Sequence, residues 1–286
     1  MDISDHTPGA GSRSSGPASD RPWTEEGHVR VLGGNLHYVG CGSGEAVVLL
    51  PKMGGWVADW RHIAPLLAEH YRVIAIDPPG YGDSVMDGEP PYVLTIEESA
   101  AAIASVLNTL GVDRYYLVGN SLGGDIGLSM ALTWPNRLRR LVLISCSLGP
   151  PMSLAELRER DERNFYSGFD ANDRALPKAW EDVIPGWFIE RSHFEESNAS
   201  RAQSGAWLKP SSRSISHADF PEWLSRVKAP TLLIHGEQGH FANYEATALA
   251  ALENGRAVRT PGACSFPHQE FPRETADILL RFFSEE

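Results

Sequence analysis

The stretch Gly119-Asn120-Ser121-Leu122-Gly123-Gly124 lies between an apolar strand-like run, 114–119 (RYYLVG), and a helical pattern that continues to Thr133. A G-x-S-x-G sequence in that setting permits very few backbones. The chain must leave a buried strand and enter a helix within one residue. The positions two before and two after the serine must therefore lack bulk, hence Gly119 and Gly123. The start of the helix sits beneath the serine and favours negative charge developing above it. A turn of this kind exists only at the end of a strand covered by helices, so the rest of the chain must supply a layered α/β frame.

It does. Residues 45–51 (EAVVLLP), 71–77 (YRVIAID), 140–145 (RLVLIS), 231–236 (TLLIHG) and 257–260 read as further short strands, apolar enough to be buried on both faces as in a parallel sheet. Helical patterns separate them at 59–69, 95–110, 121–133 and 273–283. In the clearest, Thr95 followed by Glu98 gives a capping box and Gly111 ends the helix. Residues 29–39 alternate around Gly33-Gly34 and read as a hairpin at the sheet edge. The expected fold is α/β, a doubly wound, mostly parallel sheet. The core is expected over 23–148 and 230–286, after a polar Gly/Ser/Pro-rich tail, 1–22, too poor in apolar groups to offset ordering entropy.

Residues 149–229 break the strand–helix rhythm. They carry helical patterns at 153–165, 177–188 and 221–227, and the aromatics Phe165, Tyr166, Phe169, Trp180, Trp187, Phe188, Trp207 and Trp223. A helical insertion of this composition suits a lid over a pocket for a small hydrophobic molecule. A net charge of −12 argues against nucleic acid or an anionic membrane as partner. The tail has no apolar signal region, and no apolar run is long enough for a membrane span, which gives a cytoplasmic expectation. Cys41, Cys146 and Cys264 are scattered without ligand spacing, so no metal and no cofactor is expected. Oligomeric state is not encoded in any pattern.

From about Val29 to Phe283 the chain resembles the α/β-hydrolase superfamily. Beside the elbow at Ser121, residues 77–84 (DPPGYGDS) resemble its D-x-x-G-x-G-x-S loop, and 49–60 (LLPKMGGWVADW) its oxyanion loop. Residues 231–239 (TLLIHGEQG) resemble T-L-L-I-x-G-E-x-D, and 261–272 (PGACSFPHQEFP) resemble P-G-x-G-H-x-P-x-x-E-x-P. The resemblance implies an enzyme with Ser121 as nucleophile and the backbone N–H groups of Leu122 and Met53 as oxyanion hole. It also shows three departures at chemical positions. Gly239 stands where the family has its acid, Ser265 where it has its histidine, and Pro51-Lys52 where it has His-Gly.

A serine hydroxyl needs a base within hydrogen-bond reach. His240, beside Gly239, is a candidate, directly or through Ser265 or a water. His268 is a second, and Glu237 a group that orients a histidine. His235 and Asp125 read as buried structural residues. Lys52, Asn120, Trp187 and Ser265 are expected to line the pocket, with Lys52 either facing solvent or stabilising an anionic substrate or enolate. The expected function is hydrolysis of a small hydrophobic ester, lactone or thioester with a non-standard base. The alternatives are a lyase, cyclase or isomerase that uses the oxyanion hole, and a binding protein without turnover.

Overall fold

The computed structural model describes residues 21–160 and 168–285. Its sheet begins with the hairpin β1 (Glu25–Val31) and β2 (Gly34–Cys41), turned at Gly33 with φ of 85°. The short β5 (Val85–Met86) pairs antiparallel with β2. The remaining strands are β3 (Ala46–Leu50), β4 (Arg72–Ile76), β6 (Tyr115–Asn120), β7 (Leu138–Ile144), β8 (Thr231–Gly236) and β9 (Gly255–Thr260). Their order is β1-β2-β4-β3-β6-β7-β8-β9, and every pair from β4 to β9 is parallel. Such connections require crossover helices that cover both faces.

Alternate residues of each central strand feed two separate cores. Val48, Leu50, Leu117, Leu141 and Leu143 face one layer, built on α2 (Ile96–Thr109) and α3 (Leu122–Thr133). Val47, Leu49, Val118, Val142 and Ile144 face the other, built on α1 (Ala64–Ala68) and α10 (Pro272–Ser284). The period of two along a strand is thus buried on both sides, which is why these runs read as continuously apolar. The helical pattern at 59–69 is realised in two pieces: a 3₁₀ turn at Val57–Trp60, then α1 with Pro65 in its first turn.

Between β7 and β8 lie α4 (Leu154–Arg160), α5 (Arg191–Ser204), α6 (Leu208–His217) and α7 (Phe220–Arg226). Among the described residues of 149–229 the only β pairing is an isolated bridge, Phe169 to Ala175. The helix expected over 177–188 does not form. Ala179 and Val183 are extended on either side of a single turn at Trp180–Asp182, and Gly186 has φ of 88°. Pro177 and Pro185-Gly186 explain this, since proline and left-handed glycine both interrupt a helix. Phe165 and Tyr166 lie outside the described residues. After β8 come α8 (Glu245–Ala251) and the short α9 (Pro267–Glu270). Among the described residues no helix is long and apolar enough to cross a membrane.

The capping box of α2 is formed from both sides: Glu98 N–H donates to Thr95 Oγ1 at 3.1 Å, and Thr95 N–H donates to Glu98 Oε2 at 2.8 Å. Thr95→Ala is therefore expected to lower stability by about 1 kcal/mol. Urea unfolding should show this as a lower midpoint with an unchanged slope.

Candidate active site

β6 delivers Ser121 in the left-handed region, φ 50° and ψ −119°. The close approach behind this is measurable at the flanking glycines. A Cβ on Gly119 would lie 2.3 Å from the carbonyl carbon of Gly123, and one on Gly123 would lie 2.2 Å from the carbonyl oxygen of Leu50. Ser121 N–H donates to Ile144 O at 2.9 Å, and its own carbonyl receives Asp125 N–H at 3.1 Å as α3 begins. Leu122 is the first residue of α3, so its N–H has no acceptor within the helix. Asn120 is wholly buried and donates through Nδ2 to Ile144 O at 2.8 Å. It ties β6 to β7, while its Oδ1 is buried without a hydrogen-bond partner.

Lys52 also differs from its solvent-facing reading. Its side chain is 8% exposed and its Nζ donates to Asp59 Oδ2 at 2.8 Å. The ammonium lies 5.5 Å from the Phe266 ring centroid. The Lys52 carbonyl receives Gly55 N–H at 2.8 Å, which folds the backbone around Met53 into a tight turn. Asp77 fixes the far end of this loop. It accepts Val57 N–H at 2.7 Å and Asp83 N–H at 3.0 Å, with His37 Nδ1 2.8 Å away. One buried carboxylate thereby joins the oxyanion loop to the D-x-x-G-x-G-x-S loop.

The loops after β8 and β9 bring the expected acid and histidine positions together but do not use them as the resemblance implies. A Cβ on Gly239 would lie 2.7 Å from the carbonyl oxygen of Cys264, so this position has no room for a carboxylate side chain without backbone movement. Ser265 is fully buried and donates to Gly186 O at 2.8 Å. His240 is exposed, and its Nε2 donates to Pro185 O at 2.5 Å. Glu237 accepts Gly262 N–H at 3.1 Å and so closes a turn. His268 is buried against Trp60, ring centroids 4.4 Å apart, with neither ring nitrogen hydrogen-bonded. Burial, then the positive charge of Lys52 and the neighbouring His193, hold it well below the usual histidine range. His235 is likewise buried, which pushes it down to about 4. Among the described residues no side chain is hydrogen-bonded to the Ser121 hydroxyl, and the direct Ser121–His240 pairing is not formed because His240 is turned to Pro185.

The α/β-hydrolase-fold family model matches residues 45–272. The chain belongs to the α/β-hydrolase family. Curated relatives include a 2-hydroxy-6-oxo-6-phenylhexa-2,4-dienoate hydrolase of Comamonas testosteroni, 30% identical over 72% of this chain and 75% of that protein. A 2-hydroxy-6-oxononadienedioate/2-hydroxy-6-oxononatrienedioate hydrolase of Paraburkholderia phymatum is 38% identical over 75% of this chain and 79% of that protein. Among solved structures, the enol-lactonase of Burkholderia xenovorans LB400 superposes with a TM-score of 0.74 at 21% identity, covering 91% of this chain and all of that one. With named hydrolases as its relatives, this α/β hydrolase is a hydrolase-fold enzyme.

The α/β hydrolase also places α5 against its oxyanion loop, a helix that the sequence reading did not identify. A Cβ on Gly54 would meet Leu208 Cδ1 at 2.5 Å and Arg201 Cα at 3.4 Å. Arg61 binds Glu196 at 2.7 Å, and Gln203 Nε2 donates to Gly82 O at 2.6 Å, so the helix is anchored along its length. Arg201 donates to Gly168 O at 3.1 Å while its Nε is buried without a partner. Burial holds its guanidinium below the usual arginine range, and Lys178, a second cation, lies close enough to feel it. Of the buried residues of α5 only Phe194 is apolar, beside Ser200 and Ser204, so no apolar period marks the helix in sequence.

Beneath the elbow, Asp125 is buried with Oδ1 unpartnered, and burial pushes its carboxyl well above the usual range. The folded state therefore keeps a proton that the unfolded chain releases once pH passes the ordinary aspartate value of about 3.9. Stability falls as pH rises from there towards the folded value. Asp125→Asn removes this loss. The variant should gain on the parent by up to about 1.4 kcal/mol per pH unit across that window, and denaturation at pH 5 and pH 8 would show it. An equal difference at both pH values would contradict a buried neutral carboxyl.

Proposed function

We propose that this α/β hydrolase acts on a small, largely apolar molecule that carries a carboxylate and a reacting carbonyl. In this reading the carbonyl oxygen sits between the Leu122 and Met53 N–H groups beside Ser121, and proton transfer uses a group other than the family's acid–histidine pair. The observation that carries the reading is the elbow itself. A non-glycine residue held at φ 50° costs on the order of 1–3 kcal/mol, and such strain persists at sites where geometry serves function. Gly239 and Ser265 have been turned to packing, while the strained serine and the helix start beneath it are intact.

The carboxylate enters from two sides. The relatives' names describe hydrolases of 2-hydroxy-6-oxo-dienoates, which carry a carboxylate, an enol and a ketone. In this chain Arg201 offers a buried, unpartnered Nε beside the oxyanion loop, with Lys178 near. A desolvated guanidinium of this kind is a strong carboxylate partner. A second reading, stabilisation of an enolate without attack by water, is favoured by the absence of a base on the Ser121 hydroxyl among the described residues.

The test uses the absorbance of a 2-hydroxy-6-oxo-dienoate, with p-nitrophenyl acetate and an enol-lactone as alternative substrates. Turnover of the dienoate is expected, with Ser121→Ala lowering kcat by about 10²-fold or more. Cleavage into two products supports hydrolysis, whereas loss of the dienoate absorbance without cleavage supports the enolate reading. Binding of all three without turnover would sink both. Arg201→Gln is expected to raise KM for the dienoate about tenfold or more while kcat changes less, the pattern of lost ground-state binding. An unchanged KM would remove Arg201 from the site.

A further inference from the structure

Residues 184–189 run without regular structure from the single turn at Trp180–Asp182 to the start of α5. They are held on the core chiefly by the two loops that carry Gly239 and Ser265, with one further hydrogen bond from the Ile189 backbone to Glu270. The Ser265 hydroxyl donates to Gly186 O at 2.8 Å, and His240 Nε2 donates to Pro185 O at 2.5 Å. Gly186 has φ of 88°, and a Cβ there would lie 2.5 Å from Gln238 O and 3.3 Å from His240 Nε2. No side chain fits at that point. On either side, Trp187 packs against Phe241 at 5.9 Å and Phe266 at 6.3 Å between centroids, and Phe188 against Phe266 at 4.9 Å.

We infer that residues 185–188 are a latch, seated on the two loops that lost the acid and the histidine, and that Ser265 and His240 are its positioning residues. The inference rests on these contacts alone and not on the substrate proposed above. Two hydrogen bonds to adjacent carbonyls fix the strap's backbone, and the flanking aromatic rings of Trp187 and Phe188 pack on Phe241 and Phe266. A strap held by two hydrogen bonds and three ring contacts can open locally without unfolding the sheet beneath it. The contact also reaches the oxyanion loop. Phe188 stacks on Phe266, and Phe266 lies under the Lys52 ammonium, 5.5 Å from its centroid. Opening the strap removes one face of Phe266 and so loosens the support of Lys52, beside Met53.

The latch also decides what restoring the family residues would do. In the rotamer that Ser265 adopts, the γ atom is already 2.8 Å from Gly186 O, closer than a carbon atom can approach. A histidine there displaces the strap before it reaches Ser121. An aspartate at Gly239 meets the Cys264 carbonyl.

The test reads the strap directly in the full chain. Amide hydrogen exchange is measured for residues 186–189 in the parent, Ser265→Ala, His240→Ala and the double variant. In parallel, ¹⁹F NMR follows the protein labelled with 5-fluorotryptophan, with the Trp187 resonance assigned by Trp187→Phe. Each single variant should speed strap exchange several-fold, the double variant by about the product of the two, and the Trp187 resonance should move while that of Trp134 does not. Ser265→Thr, which keeps the hydroxyl, should restore protection relative to Ser265→Ala. Ser265→His should release the strap as Ser265→Ala does. Unchanged exchange and an unmoved Trp187 signal in the double variant would overturn the inference. So would a change spread evenly over every tryptophan, since the contacts would then hold the whole fold and not a strap.

Discussion

Where α3 starts, its backbone presses against the end of β3 so closely that no Cβ fits on Gly123, and β6 presses on α3 so closely that none fits on Gly119. These approaches force Ser121 into the left-handed region. Much else depends on that contact. It aligns the N–H groups at the start of α3 with the loop that follows β3, and it sets how β3, β6 and β7 end together at one edge of the sheet. The sheet must be buried on both faces to bring strand ends and helix start this near, and the two separate cores achieve that.

Charge is handled at this edge by pairing and by burial. Asp77 carries the amides of two loops, and Asp59 carries Lys52. His268 stays neutral because it is buried beside a cation, which makes it a poor proton acceptor. Arg201 is a cation, yet its Nε is buried without an acceptor beside the turn at Gly54.

The two loops that differ from the family at their chemical positions have not become idle. Gly239 is tightly packed, and Ser265 and His240 hold the backbone of the insertion. Small and polar replacements at such positions open space and supply donors. Here that space and those donors serve packing between the insertion and the core.

The α/β frame, the edge hairpin, the capped α2 and the elbow were all legible in the sequence. Each depends on short-range rules: alternation along strands, glycine at tight turns, a threonine–glutamate cap. The departures at Gly239 and Ser265 are what the resemblance implies, read from the register of the surrounding scaffold residues. The rest depended on contacts between distant segments. Pro177 and Pro185-Gly186 already interrupt the helix expected over 177–188, but where the resulting strap lies was decided by loops more than fifty residues away. The polar α5 left no apolar period, because its inward side meets the oxyanion loop rather than a core. Lys52 turned inward only because Asp59 waits there, and Asn120 ties β6 to β7 because Ile144 O lies within reach. Sequence alone determined the frame and the place of Ser121, since local backbone sterics suffice for both. Which polar groups face Ser121, and which are spent on packing, only the tertiary structure decided, because a hydrogen-bonding side chain takes whichever partner the fold brings within about 3 Å.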